Sequence, residues 1–417
     1  MDLLQLADQL FLGETTTERH HPFRATGELV EVLPRLAFVD AFANSAAVDT
    51  DDGLVVVDTS GQLFAERAHD AIRAWSPRRL DTAIFTHGHV DHVFGVELYE
   101  EEARTNGWAP PRVVAHELVP ARFDRYKTTA GYNAVINQRQ FKAAKLTWPV
   151  EYRYPDETYR DTLEVTVGGE RFELHHARGE TDDGTWVWWP ATRVVFAGDL
   201  FIWASPNCGN PQKVQRYPRD WANAFRTMAA LDAEVLLPGH GLPIVGADRV
   251  RQALTEGADL LESLLDQTLE LMNAGARLDD IVDTVRAPAH LLERPYLRPV
   301  YDEPEFVVRN IWRLYGGWYD GDPSHLKPAP ARVLAEEVAA LAGGASRLAD
   351  RALELADAGD LRLAGHLVEL AAQAAPEDKG VHAARAEVFG RRAKEERSTM
   401  SKGVFSWAAH ESTDKAQ

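Results

Sequence analysis

Thr86-His87-Gly88-His89-Val90-Asp91-His92 follows the apolar run Ala83-Ile84-Phe85 and precedes Gly95. Three imidazoles and a carboxylate so close together resist any explanation by packing. A strand running out into a loop presents His87 and His89 on one side, because side chains two apart in extended chain share a face. Asp91 and His92 follow at the turn, within reach of a second ion. Histidine and carboxylate are ligands that a borderline cation such as zinc prefers, so the stretch reads as a metal site at the end of a strand. A polar loop that happens to be rich in histidine is the plainer alternative.

Composition sets the outer limits. A chain of 417 residues suggests two or three domains and can bury a sizeable core. With 45% hydrophobic and 26% charged residues it falls among globular chains, and no apolar run is long enough to span a bilayer. Met1 to Gly13 lacks a basic segment and carries Asp2 and Asp8, so it does not read as a secretory signal. The single cysteine, Cys208, excludes an internal disulfide framework and fits a reducing compartment. A cytoplasmic, membrane-free protein is therefore expected. The formal charge of −19 argues against nucleic acid as a partner, since that binding rests on neutralising phosphate with Lys and Arg.

Working outward from the cluster, strands are expected at Leu36 to Phe42, Leu54 to Val57, Thr82 to Phe85, Arg112 to Ala115, Leu163 to Val167, Arg171 to His175, Trp186 to Trp189 and Val194 to Ala197. A helix through Phe64 to Trp75 lies among them, which makes an α/β layered body. Trp186, Trp188 and Trp189 form an aromatic run on one strand, and alternation is expected to bury some of them between the layers, a core role favoured over a substrate platform. After His240 the character changes. Leu254, Ala258, Leu261, Leu265, Leu269 and Met272 recur at helical steps and Gly275 ends the pattern, giving one long amphipathic helix. Leu348 to Ala356, Ala364 to Ala375 and Val381 to Ala393 read as stacked helical hairpins, similar to a tetratricopeptide pair. The division expected is a catalytic domain over residues 1–250 and a helical domain over 251–417, with the residues from Ser398 loosely ordered.

A two-metal site needs further ligands at strand ends. Gly179-Glu180-Thr181, Gly198-Asp199 and Gly239-His240-Gly241 each place a ligand type beside a glycine after an apolar run. Taken singly, each could equally be a turn or cap. Together with Asp58 and the cluster, in this order, they resemble the metallo-β-lactamase superfamily, which implies an αββα sandwich with metals at one edge of its two sheets. The commonest members carry histidine where this chain has Glu180. Glutamate there is a feature of the alkyl sulfatase branch. Tyr315-Gly316-Gly317-Trp318-Tyr319-Asp320-Gly321-Asp322-Pro323, Ala342-Gly343-Gly344-Ala345 and Ala358-Gly359-Asp360 are similar to that branch's dimerisation domain. The likeness runs from about Glu28 to about Ala393. It implies a homodimer and, because the chain stops at Gln417, a short form without the sterol-carrier-like third domain of the long members. Asp199 stands where that branch uses glutamate.

By motif position the resemblance implies a first ion on His87, His89 and Glu180 and a second on Asp91, His92 and His240, with Asp199 bridging. His175 and His176 compete with Glu180 for its place. Asp91 also carries the catalytic role, and Asp58 orients a ligand histidine. The expected cofactor is two zinc ions whose hydroxide attacks a sulfate ester or related ester. Glu180 in place of a neutral imidazole adds negative charge and should lower the Lewis acidity of the ions. Asn133, Arg139, Lys213 and Arg216 are candidates to hold an anionic small-molecule substrate. No general acid stands out in Ser205-Pro206-Asn207-Cys208-Gly209-Asn210, and Cys208 reads as a small buried residue. Alternative readings are a hydrolase of a lactone, thioester, β-lactam or small phosphoester, a mononuclear iron dioxygenase, and a non-catalytic dimeric binding protein.

Overall fold

The computed structural model describes residues 2–417. Two β-sheets carry the first part of the chain. In the seven-stranded sheet, β1 (Leu29–Leu33), β2 (Leu36–Val39), β3 (Ser45–Asp49) and β4 (Leu54–Val57) form an antiparallel meander. From β4, strands β5 (Leu80–Ile84), β6 (Arg112–His116) and β7 (Glu157–Tyr159) continue in parallel. The six-stranded sheet runs β8 (Thr162–Val167), β9 (Glu170–His176), β10 (Thr185–Trp189), β11 (Val194–Gly198), β12 (Val235–Pro238) and β13 (Ile244–Val245), with only β11 and β12 parallel.

Alternation along the strands explains the layering. On β4 every residue is buried, but Leu54 and Val56 join Ala83, Phe85, Val113 and Ala115 in a core shared with the helices Ala65–Trp75 and Val96–Asn106. Val55 and Val57, with Ile84 and Val114, face the other way into a core with Phe172, Leu174 and Val187 of the second sheet. Successive side chains of an extended strand point to opposite faces, so a wholly apolar strand is covered on both sides. All three tryptophans of β10 are buried, but alternation divides them: Trp189 meets Phe172 between the sheets, while Trp186 and Trp188 lie on the other face with His175. Beyond the second sheet, Pro218–Ala229 packs on the long helix Ala247–Asn273. Gly257 is needed there, since a Cβ would stand 2.8 Å from the Phe225 ring. This is an αββα sandwich.

The chain divides into two compact units, Met1–Ala130 with Pro149–Gly317, and Gly131–Trp148 with Trp318–Gln417. The boundary expected near residue 250 is placed differently here: the amphipathic helix Ala247–Asn273 spends its apolar face on Trp221, Phe225 and the second sheet, and the first unit runs on to Gly317. The second unit is helical, with Ala331–Ala342, Ala345–Asp357, Leu361–Ala374, Lys379–Glu395 and Thr399–Ala416 around a core of Leu348, Ala352, Val368, Val381 and Val388. The last of these corrects the expectation of a loose end. Ser398 caps it by accepting from the Ser401 N–H, and Gly403 lies directly on the backbone of Gln140.

Phe172 is fully buried between the sheets, its ring centroid 5.6 Å from that of Trp189. Phe172→Ala is expected to lower stability by about 3–5 kcal/mol in a urea titration. Leu63→Ala, at a side chain 87% exposed, should stay within about 0.5 kcal/mol of the parent.

Candidate metal centre

The site grows from the ends of parallel neighbours β4 and β5. Asp58 leaves β4 with φ 55°, a left-handed conformation that a non-glycine residue holds only when its surroundings fix it. Its carboxylate supplies that fixing. Oδ1 accepts from the Thr86 N–H at 2.8 Å, and Oδ2 accepts from Thr86 Oγ1 and from His92 Nδ1, each at 2.7 Å. Because the one Thr86 hydroxyl proton goes to Asp58, His87 Nδ1, 3.0 Å away, must donate to Thr86 Oγ1. His240 Nδ1 donates to the carbonyl of Phe42. Three separate hydrogen bonds at Nδ1 thus turn Nε2 of His87, His92 and His240 inward.

The seven ligand-type residues assigned from the sequence come together in two groups. His87, His89, Glu180 and Asp199 form one and Asp91, His92 and His240 the other, with ligand atoms in each within 4.8 Å of one another. Asp199 joins the groups: Oδ2 lies 3.7 Å from His87 Nε2 and 3.3 Å from His240 Nε2, and Oδ1 lies 3.3 Å from His92 Nε2. On the other side, Asp91 Oδ2 is 3.6 Å from His240 Nε2. Glycine makes this closeness possible. A Cβ on Gly239 would run into the Asp199 carboxylate, and one on Gly198, at φ 51°, would sit 2.7 Å from Thr86 Cβ.

Charge and burial conflict within the group. Burial lowers His87 to about 3, helped by His92, and likewise keeps His89 well below the ordinary imidazole range. At His92 burial opposes the charge, but Asp199, Asp58 and Asp91 outweigh it and raise the imidazole well above its usual value. Glu180 is pushed up to about 8 by burial, against the pull of Arg216. Despite these neighbours, His92 Nε2, Glu180 Oε2 and Asp199 Oδ1 are buried without a hydrogen-bond partner. Buried polar atoms are normally satisfied, and orphans among the atoms of these two ligand groups fit cations there.

The remaining candidates separate. His175 and His176 stay out of both groups: His175 stacks on Trp186 at 4.1 Å, while His176 stacks on His116 at 3.8 Å and donates to the Gly184 carbonyl. Cys208 is fully buried, and burial, with Asp302, raises its thiol well above the ordinary range, as suits a packing residue. Asn133 and Arg139 lie on the helix Ala130–Phe141, whose residues from Gly131 belong to the second unit, and neither is in the ligand groups. Burial lowers the Lys213 ammonium to about 8, together with Arg216, while Glu180 and Asp91 pull the other way. Arg216 is buried, with Nη1 2.8 Å from Glu180 Oε1. Asp183 had no sequence signal beyond an acid in a turn. Its Oδ2 accepts from the Gly88 N–H at 3.1 Å and from Arg122 Nε at 2.6 Å, and this fixes the loop between His87 and His89.

Comparison with known proteins agrees with this geometry. Residues 39–240 match the metallo-beta-lactamase superfamily and residues 277–415 match the alkyl sulfatase dimerisation family. A linear primary-alkylsulfatase of a Pseudomonas species is 27% identical over 370 residues, 82% of this chain and 69% of that protein. An (R)-specific secondary-alkylsulfatase, also from Pseudomonas, is 26% identical over 87% of this chain and 59% of its own length. The alkyl/aryl-sulfatase of Saccharomyces cerevisiae is 25% identical over 78% of this chain, which spans 54% of it. Among solved structures, a stereoselective inverting sec-alkylsulfatase from Pseudomonas superposes with a TM-score of 0.84 at 24% identity, covering 93% of this chain and 66% of the other. That likeness establishes the fold.

Asp58→Asn replaces an oxygen acceptor by an amide donor beside Thr86 and His92. The expected loss is about 1–3 kcal/mol of stability, read as a shift of the urea midpoint at unchanged slope. An unchanged midpoint would show that the carboxylate does not fasten the two strand ends.

Proposed function

We propose that this chain, a metallo-beta-lactamase superfamily protein with an alkyl sulfatase dimerisation region, is a metal-dependent hydrolase of sulfate esters. The observation that carries the reading is the pair of adjoining ligand groups sharing Asp199, with buried ligand atoms that no protein donor satisfies. The substrate class comes from the relatives, which are alkylsulfatases. His87, His89, Glu180 and Asp199 would hold one ion, and Asp91, His92 and His240 a second that also reaches Asp199. A set of imidazoles and carboxylates without thiolate suits zinc. Such ions, when bound, polarise ester oxygens and lower the pKa of water in the site towards about 7.

The chain's own groups supply orientation and proton handling. Asp58, Thr86 and the Phe42 carbonyl fix the histidine tautomers before any substrate arrives, so no ring has to turn during the reaction. Asp91, with 24% of its side chain exposed, stands at the open side and is the carboxylate placed to take a proton from the attacking water. Lys213, close enough to feel both Glu180 and Asp91, is the cation we assign to the sulfate oxygens.

Homodimerisation belongs to the same proposal. On the helix Ala331–Ala342, Leu334 and Leu341 are 56% and 82% exposed, and Val333 is 53% exposed. Residues 334 and 341 are seven apart and share a helical face, an apolar stripe suited to a second copy.

The purified protein should hydrolyse an alkyl sulfate in a panel that also holds lactones, β-lactams and phosphodiesters. Asp91→Ala and His92→Ala should each cut kcat/KM by about 10²–10⁴-fold. Clear turnover of another class, with every sulfate inert, contradicts the sulfatase reading. Equal activity in both variants contradicts the metal mechanism. Lys213→Met should raise KM for the sulfate by about 10–100-fold, as expected for a charged hydrogen bond. In light scattering the parent should run as a dimer and Leu334→Asp/Leu341→Asp as a monomer.

A further inference from the structure

Glu180 divides its two oxygens between different tasks. Oε1 receives Arg216 Nη1 at 2.8 Å and also accepts from Asn207 Nδ2. The same Nη1 donates to the Asn207 carbonyl at 2.7 Å, so arginine, asparagine and carboxylate close a ring of contacts. Oε2 has no hydrogen-bond partner and points towards His89, whose Nδ1 is 4.0 Å away. All three residues are buried, at 6%, 2% and 3% exposure for Glu180, Arg216 and Asn207.

The donors are themselves held. Asn310, on the helix Pro304–Gly316, accepts from the Arg216 N–H at 3.3 Å and donates to the Arg216 carbonyl at 3.1 Å. Asp302 Oδ2 accepts from the Gly209 N–H at 2.5 Å and anchors the loop that carries Asn207. Gly209 lies against the backbone of Phe306 and Val307, where a Cβ has no room. A buried arginine fixed at its backbone and at its Nη1 is committed to its carboxylate.

Resting on the reading of Glu180 as a metal ligand, we infer that Arg216, with Asn207, is a positioning and charge-balancing residue for Glu180 and not a substrate-binding cation. The contacts on Oε1 stop the carboxylate from rotating and offer Oε2 alone to an ion. The guanidinium offsets the negative charge that distinguishes glutamate from imidazole. The Glu180–Arg216 pair therefore presents a cation with the net charge of a neutral histidine, and the lowered Lewis acidity expected from Glu180 alone does not follow.

Cobalt(II) titration of the chelator-treated full chain tests this, followed by visible d–d absorption, with circular dichroism as the check on folding. Arg216→Met should weaken cobalt binding by at least about tenfold and change the band shape. In a Glu180→His background the same change should have little effect, because imidazole needs no balancing charge. Asn207→Ala, which keeps the guanidinium, should weaken binding less than Arg216→Met and provides the test should Arg216→Met fail to fold. Parent-like binding by Arg216→Met, or by Asn207→Ala where only that variant folds, overturns the inference. So does an equal loss from Arg216→Met in the Glu180→His background. Parent-like binding by Glu180→Gln overturns the ligand reading itself, and the inference with it.

Discussion

One carboxylate holds the site together. Asp58 joins the ends of β4 and β5 through Thr86 and turns His92 by accepting from its Nδ1. The left-handed backbone at Asp58 is tolerated because those three bonds, and Ser45 Oγ on the Asp58 carbonyl, define it from several sides. Without this anchor the loop from His87 to His92 would have to order itself around an ion, at an entropic cost that the folded chain has already met.

Around that anchor the structure manages an excess of buried charge. Asp183 is kept well below the usual carboxylate range by Arg122, which outweighs the cost of burial. Asp199 is likewise held down against burial, by His240 and His92. Glu180 is the exception, raised by burial even beside Arg216. Buried charges persist only when paired or when they ligate metals. Here Asp183 is paired with Arg122 through Oδ2, whereas Glu180 and Asp199 each turn an unsatisfied oxygen into the ligand groups.

Much of this was legible in the sequence. Strand cores such as Leu54 to Val57 and Val194 to Ala197 are short apolar runs ending in ligand types, and they fall where expected. The residues from His87 to His92 stood out because packing gives no reason for them. What escaped were features defined by distant partners. Arg216 displays its charge in sequence, but its partners lie 36 residues back at Glu180 and 94 ahead at Asn310. The helix Ala247–Asn273 displays an apolar face without naming what covers it, so the change in character after His240 reads as a boundary in sequence, whereas the first compact unit runs on to Gly317. Thr399–Ala416 has small and polar residues spread around its circumference and buries Ser401, Gly403 and Ser412, a pattern that periodicity does not register.

The central claim is that seven side chains on four strand ends form two cation sites sharing Asp199. Anomalous diffraction from crystals grown with zinc, collected on both sides of the zinc edge, tests it most directly. Two peaks are expected, one among His87, His89, Glu180 and Asp199 and one among Asp91, His92, His240 and Asp199. A single peak, or zinc held only elsewhere on the chain, would contradict the account.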